Sequence, residues 1–499
     1  MRVATAFVSA VLAATPGARL RSLYEARYAD LLTPLLSEVL RFETVEKNES
    51  AFAGQRAWVN GAGTALGLVV RDAGSFTEVE LPGPAGGPVL GLIVHGDVQP
   101  ADAREWKVPP FAGEVRDGEV WGRGAADDKG PLVQALLAMA TLRASGLHRT
   151  HTVRLLVGSN EETGATDAGE YLKTHLPPDF SLVLDSDFPV VVGEKAWHTV
   201  LVTAPARPKA TPTTPFEVSG LDAGMTPSIV PERATLRLTW VRGAPEWEPW
   251  LAKAQSRPLS EGTRLEVSGT GAERTLTVFG KSAHAGLALK EGRNALVALA
   301  RLVDGLLAPS PATELLAFTV QAGQDFSGTG LGLRPEPPPW NGFDVNLAMV
   351  KPAADGGLTL TLNIRAPPTL YGKALRTHLE AQVRAFDERT GAALAVTGGH
   401  FEDVPLVIDP NGRLVQRLLA AYARGMGVPS QAVTSAGGTY AKRFPRSIAF
   451  GMWFRPKTYP GHAADEHISL VDLNAGVRIL LEALGDLACG PPLQRPFER

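Results

Sequence analysis

The sequence predicts an α/β domain, discontinuous along the chain and interrupted by a large α+β insertion. Three observations carry this. Short apolar runs alternate with helical patterns up to about Trp197, a stretch of period-two runs follows, and the first texture resumes near Pro405. Strands alternating with helices build a sheet layered by helices. Period-two runs build an antiparallel sheet with one solvated face. The expected divisions are residues 20–196 and 403–499 for the first domain and 197–402 for the insertion.

Taken in order, "LRSLYEARYADLLTPLLSEVLR" from Leu20 repeats at helical spacing. The runs "LGLVV", "VLGLIVHGD", "TVRLLVGSNEE" and "FSLVLDSD" follow as strands that end in polar or glycine residues. Between the second and third lies "GPLVQALLAMATLRASG", a helix with Leu132, Leu136, Leu137 and Ala140 on one face. In the insertion, "ATLRLTWV", "TRLEVSG", "RTLTVFG" and "LTLTLNIRA" alternate as strands. They are interrupted by the helices "GRNALVALARLVDGLL" and "YGKALRTHLEAQVRAF", and "LRPEPPPWNG" reads as a rigid loop. The closing segment offers the helix "NGRLVQRLLAAYARGMG", the strand "RSIAFGMWF" and the helix "LVDLNAGVRILLEALGDLA".

Composition narrows the function classes. The chain has 499 residues, 44% hydrophobic and 20% charged, enough for a sizeable core in more than one domain. A net charge of −3 gives no electrostatic case for a nucleic-acid or anionic-membrane partner. With Cys489 the only cysteine, neither an intrachain disulfide nor a cysteine-rich zinc site can form. Any metal must be held by His, Asp and Glu. At the start, Arg2 precedes the apolar stretch Val3–Ala14, so residues 1–19 read as a signal peptide or N-terminal extension. That slightly favours a periplasmic or secreted location over a cytoplasmic one.

The chemistry-bearing residues gather where apolar runs end. "GSNEETG" sets Glu161 beside Glu162, two carboxylates that raise each other's pKa and repel unless a cation or proton lies between them. "LIVHGDVQP" places His95 and Asp97 two residues apart, on one face if the strand continues through them. "WGRGAADDKG" holds Asp127 and Asp128 just before a helix, "VLDSDFP" offers Asp185 and Asp187, and "YPGHAADEH" supplies His462. Singly, each is commonplace: an HxD pair is more often structural, and an acidic pair before a helix is often a cap. Together they form a sulfur-free donor set that suits Zn²⁺ first, with Mn²⁺ or Co²⁺ also compatible. A bridging carboxylate would let two such ions sit close together, polarising a carbonyl and acidifying a shared water. One glutamate of the pair can then coordinate while its neighbour serves as a general base.

The ordered set HGDVQP, GRGAADDKG, GSNEETG, LDSDFP, GKSAHA, NIRAP, GGTYA and GHAADEH resembles the M20 metallopeptidases, and most closely their PepV-type, carnosinase-like Xaa-His dipeptidase branch. The resemblance implies a zinc-peptidase-like three-layer catalytic domain carrying an inserted lid. It implies that His95, Asp127 and Asp185 bind one divalent ion. Asp127, joined to Asp128 by a cis peptide, bridges to a second ion completed by Glu162 and His462. Asp97 orients the His95 side, and Glu161 acts as general base and proton shuttle. In the lid, His284 corresponds to a histidine that stabilises the oxyanion, and Arg365 to one that grips the substrate's terminal carboxylate. Gly438 and Thr439 of GGTYA let the backbone and a hydroxyl approach the substrate.

Two departures bear on specificity: Ser228 in "SIVP" stands where the family often has Asn, and Ala366 follows the lid arginine in place of an aromatic. The expected activity is hydrolysis of dipeptides with a free C-terminal carboxylate, by a chain acting as a monomer on a small peptide substrate. An N-acyl amino acid deacylase or carboxypeptidase of the same superfamily is the nearest rival. A catalytically dead binding protein is the rival of another class, and the intact Glu161 and ligand set argue against it.

Overall fold

The computed structural model describes residues 15–207, 214–454, 457 and 459–499. The apolar Val3–Ala14 stretch lies outside the described residues, among which no helix is long and apolar enough to cross a membrane. The chain divides into two compact units, one reaching Gly193 and resuming over Leu406–Arg499, the other Glu194–Pro405.

The first unit is built on a mixed sheet. Its spatial order is Val69–Asp72, Thr77–Leu81, Thr152–Gly158, Val89–His95, Phe180–Val183, Ser447–Ala449, Val191–Glu194 and Leu406–Val407, with Val433–Ser435 beside Val191–Glu194. The four middle strands, Thr152–Gly158 through Ser447–Ala449, run parallel. Such strands are buried on both faces, so they read as continuous apolar runs. On Val89–His95, Leu90, Leu92 and Val94 join the larger core, while Ile93 faces a smaller one with Tyr171, Tyr440 and Phe444. Sheet and two helical faces make the three layers.

The helix Lys129–Ala144 departs from its expected one-sided face. Every residue from Lys129 to Leu142 is buried. It lies against the sheet on one side and meets the helices Pro16–Arg27, Ala29–Val39 and Leu470–Leu487. The first helical pattern also divides in two, at Tyr28, whose N–H still bonds the Tyr24 carbonyl. "RSIAFGMWF" divides likewise: Ser447–Ala449 stays in the main sheet, whereas Met452–Trp453 pairs with Ser186–Asp187.

The second unit holds an eight-stranded sheet, antiparallel throughout, in the order Arg264–Ser268, Glu273–Phe279, Arg233–Trp240, Phe216–Ala223, Asp344–Pro352, Leu358–Ala366, Ala196–Ala204 and Ala395–His400. Period-two alternation is strict along Ala196–Ala204. Its Val200 and Val202, with Leu360, Leu362 and Ile364 of the next strand, pack with the helices Ala295–Val303, Pro311–Ala322 and Gly372–Thr390. Arg365 therefore lies on the face opposite Leu362 and Ile364.

Candidate metal centre

Parallel pairing puts the functional residues at one edge. His95 ends its strand directly opposite Gly158, and Ile93 is opposite Val183. The Glu161–Glu162 turn and Asp185 thus emerge beside His95, from the carboxyl ends where parallel sheets build sites. Asp127 comes from the loop before the helix Lys129–Ala144, with a cis peptide to Asp128. Asp128 Oδ2 accepts the His95 backbone N–H at 3.0 Å, fixing that loop to the strand. His462 follows Gly461 at φ 63°, a left-handed conformation uncommon for a non-glycine residue and typical of sites where function fixes the backbone.

Asp127 stands at the middle. Its Oδ1 lies 2.9 Å from His95 Nε2 and its Oδ2 lies 3.1 Å from His462 Nε2. Asp185 Oδ2 is 3.7 Å from His95 Nε2, and Glu162 Oε2 is 3.0 Å from His462 Nε2. Donor atoms collect into two groups, His95 with Glu161 and Asp185, and Asp127 with Glu162 and His462. Each group is compact enough to hold a cation.

The donor chemistry supports a cation at each. His95 Nδ1 faces the Asp97 carbonyl at 3.0 Å, so that nitrogen carries the proton and the Nε2 lone pair points at carboxylates. His95 Nε2 is buried without an aligned hydrogen-bond partner, although Asp127 Oδ1 is near. A lone pair aimed at buried carboxylates needs a proton or a metal between them. Burial opposes the imidazolium, but the Asp127 and Asp97 carboxylates outweigh it and hold His95 well above its ordinary pKa. His462 is likewise raised to about 10, burial opposing and the Glu162 and Asp127 carboxylates prevailing. Burial pushes Asp185 well up, with the charges of Asp127 and Asp128 adding to it.

The paired glutamates sit in a turn held by two other carboxylates. Asp97 accepts the Glu161 N–H at 3.2 Å on one oxygen and the Glu162 N–H at 3.0 Å on the other. Asp167 accepts the N–H groups of Ser159 and Asn160 at 2.9 and 3.1 Å, and the Tyr440 hydroxyl at 2.6 Å. Gly158 admits that tyrosine, since a Cβ there would lie 2.1 Å from its oxygen. Asp97 lies just beyond the strand's end, so its carboxylate turns toward the glutamates while staying 3.5 Å from His95 Nδ1. Glu161 is pushed up to about 8, by burial first and by Glu162 and Asp97, with His95 opposing.

The expected residues His95, Asp97, Asp127, Glu161, Glu162, Asp185 and His462 therefore come together in the first unit. Gly438 and Thr439 are in the same unit, just before the short turn Tyr440–Lys442, and Thr439 Oγ1 accepts the Ala441 N–H at 3.0 Å. His284 and Arg365 belong to the second unit. His284 Nδ1 accepts the backbone N–H of Leu287 at 2.9 Å, and Arg365 is opposite Asp344 in the sheet, whose carboxylate pairs with Lys195 at 2.6 Å.

Three contributors escaped the sequence reading. Gln99 Nε2 donates to Glu162 Oε2 at 3.0 Å, the Tyr459 hydroxyl donates to Asp127 Oδ2, and Glu466 binds the Asp127 loop. Gln99, Tyr459 and Glu466 all lie within or beside quoted motifs. Nothing in their type alone separates them from surface residues.

Comparison with known proteins follows the same lines. The model of Peptidase family M20/M25/M40 matches residues 91–486. A putative dipeptidase, YtjP, of Bacillus subtilis (strain 168) is 26% identical over 462 residues, covering 90% of this chain and 96% of the relative. A Beta-Ala-Xaa dipeptidase of Lactobacillus delbrueckii subsp. lactis is 29% identical over 413 residues, covering 81% of this chain and 83% of the other. Among solved structures, human carnosine dipeptidase 1 superposes with a TM-score of 0.58 at 13% identity, covering 94% of this chain and 99% of that one. That likeness speaks to fold alone.

Proposed function

The chain belongs to peptidase family M20/M25/M40, and from that premise we propose a dinuclear metallodipeptidase that cleaves dipeptides bearing a free C-terminal carboxylate. One observation carries the reading: Asp127 presents one oxygen to His95 and the other to His462, between two ligand groups. In this reading His95, Asp127 and Asp185 hold one ion and Asp127, Glu162 and His462 hold the other. Zn²⁺ suits the donors first, and Mn²⁺ or Co²⁺ also fits them. When bound, the ions supply Lewis acidity and bring a water's pKa toward about 7.

The remaining work belongs to side chains. Glu161 accepts the proton of the attacking water and returns it to the leaving amine, and Asp97 fixes the backbone that aims it. His284 donates to the oxyanion through Nε2. Its Nδ1 accepts two backbone N–H groups, from Leu287 at 2.9 Å and Gly286 at 3.3 Å, so the neutral ring carries its proton on Nε2. Arg365 takes the terminal carboxylate through its planar fork, and Gly438 and Thr439 contact the substrate backbone. The names of the two curated relatives support a dipeptide substrate.

The test is a panel of dipeptides, tripeptides and N-acetyl amino acids, assayed after chelation and after re-addition of Zn²⁺, Mn²⁺ or Co²⁺. Dipeptide turnover restored by one of these ions is the expected result. Preferred cleavage of N-acetyl amino acids would transfer the site to deacylase chemistry.

Two further outcomes follow. His462 is raised to about 10 and His95 is held well above its ordinary value, so cations binding these two ligands must displace protons from them. Metal affinity should therefore climb with pH toward about 10, the value to which the ligand His462 is raised. Calorimetric titration in two buffers of different ionisation heat should show proton release on loading; identical heats would contradict it. The chain is also proposed to act as a monomer, its long inserted unit supplying the lid residues from within one chain. Light scattering beside activity on dilution tests this, and activity lost at the concentration where a larger assembly dissociates would refute it.

A further inference from the structure

Glu466 is among the most completely engaged side chains of the first unit, and all its partners lie in one loop. Its Oε1 accepts the backbone N–H groups of Ala126 and Asp127 at 2.9 and 3.1 Å. Its Oε2 accepts the Gly124 N–H at 3.0 Å and Arg123 Nη1 at 2.8 Å. The Glu466 carbonyl also accepts the Gly122 N–H at 2.9 Å. Arg123 in turn lies over the Trp106 ring, 5.2 Å from its centroid. Glu466 and Arg123 are 1% and 3% exposed, so this carboxylate is buried and its charge is answered inside the protein.

The residue sits four positions after His462, and the loop it binds ends at Asp127. Fixing the backbone N–H of Asp127 fixes where the carboxylate can go, and doing so from the His462 segment sets the two ligands relative to each other. We propose that Glu466 is a positioning residue that couples the Asp127 and His462 loops, and so sets the affinity of the site formed by Asp127, Glu162 and His462. The inference rests on the dinuclear reading above. It adds a residue that touches neither substrate nor ion.

The chemistry of substitution makes the role separable. In Glu466→Gln one amide face can still accept, but the NH₂ group opposes at least two donors among Gly124 N–H, Arg123 and the Ala126–Asp127 amides. The loop must then relax. Loss of an outer hydrogen-bond partner typically weakens a metal site by about 10–100-fold. A matched control exists at Glu482, which is also 1% exposed and pairs with Arg21 at 2.9 Å and Arg424 at 2.8 Å.

The experiment is a chelator-competition titration with Zn²⁺ and Mn²⁺ on the full-length wild type, Glu466→Gln and Glu482→Gln, with thermal unfolding of each chelated protein. The expected result is that Glu466→Gln weakens the second ion by about 10–100-fold and the first, which shares Asp127 but not His462, by clearly less. Glu482→Gln should lower the unfolding temperature yet bind both ions as the wild type does. Wild-type affinities in Glu466→Gln, or equal weakening of both ions, would overturn the proposal. If Glu466→Gln does not fold, Arg123→Lys decides: it trims one of the four contacts, and unchanged affinity for the second ion would be fatal. A wild type that binds fewer than two ions would defeat the dinuclear reading itself, so the two failures are told apart.

Discussion

Glu161→Gln is expected to keep both metal ions and lose about 10²–10⁴-fold in kcat, the usual worth of a positioned general base. Gln preserves the shape and the turn, whose anchoring contacts run through the backbone N–H of residue 161. What it removes is a half-buried carboxyl pushed up to about 8, the only member of the Glu pair free to exchange a proton in this mechanism. Glu162→Gln is expected to behave differently. Its Oε2 lies 3.0 Å from His462 Nε2 and accepts from Gln99, so the loss falls on the second metal site. Metal content and kcat measured together separate the two. The Glu161 carboxylate lies within the His95 and Asp185 group, so the experiment has a sharp alternative. If both variants lose one ion equally, Glu161 is a ligand and the division of labour between the glutamates is wrong.

The reason this pair was legible from sequence is local. Parallel strands buried on both faces appear as bare apolar runs, and function collects at their carboxyl ends. Polar residues at or just past the end of such a run are conspicuous: His95 closes its strand, and Asp185 and Glu161 follow theirs by two and three residues. Glu466 offers no such signal, because its role depends on a loop some 340 residues away in the chain. Polar residues hid other parts as well. Thr77–Leu81, "TEVEL", is buried throughout, yet its two glutamates disguise it. They are satisfied across space, Glu78 by Tyr171 and Glu80 by Arg154 at 3.1 Å. The helix Glu49–Ala65 went unread for a different cause: Gly54, Gly61 and Gly63 lower its intrinsic propensity, and packing against the strand Val69–Asp72 supplies what propensity does not.

The last expectation concerns how the substrate's length is set. If Arg365 binds a carboxylate one residue beyond the scissile bond, the bond cleaved is the last peptide bond of the substrate. The catalytic unit's own carboxylates would then limit the amino end, leaving two residues as the longest good fit. Dipeptides with free carboxylates should be cleaved well, and dipeptide amides and tripeptides poorly. Arg365 is suited to this discrimination because it is buried on its strand, 6% exposed, and a planar guanidinium there offers two parallel donors to one carboxylate. Removing a buried charge-assisted contact costs about 2–3 kcal/mol, on the order of a hundredfold in kcat/KM. Arg365→Ala should therefore lose about a hundredfold on the acid and little on the amide, erasing most of the preference between them. Measuring kcat/KM for one dipeptide and its amide, with wild type and variant, completes the cycle. A wild type that already treats acid and amide alike would remove the carboxylate clamp and favour a deacylase or broader aminopeptidase activity on the same metal centre.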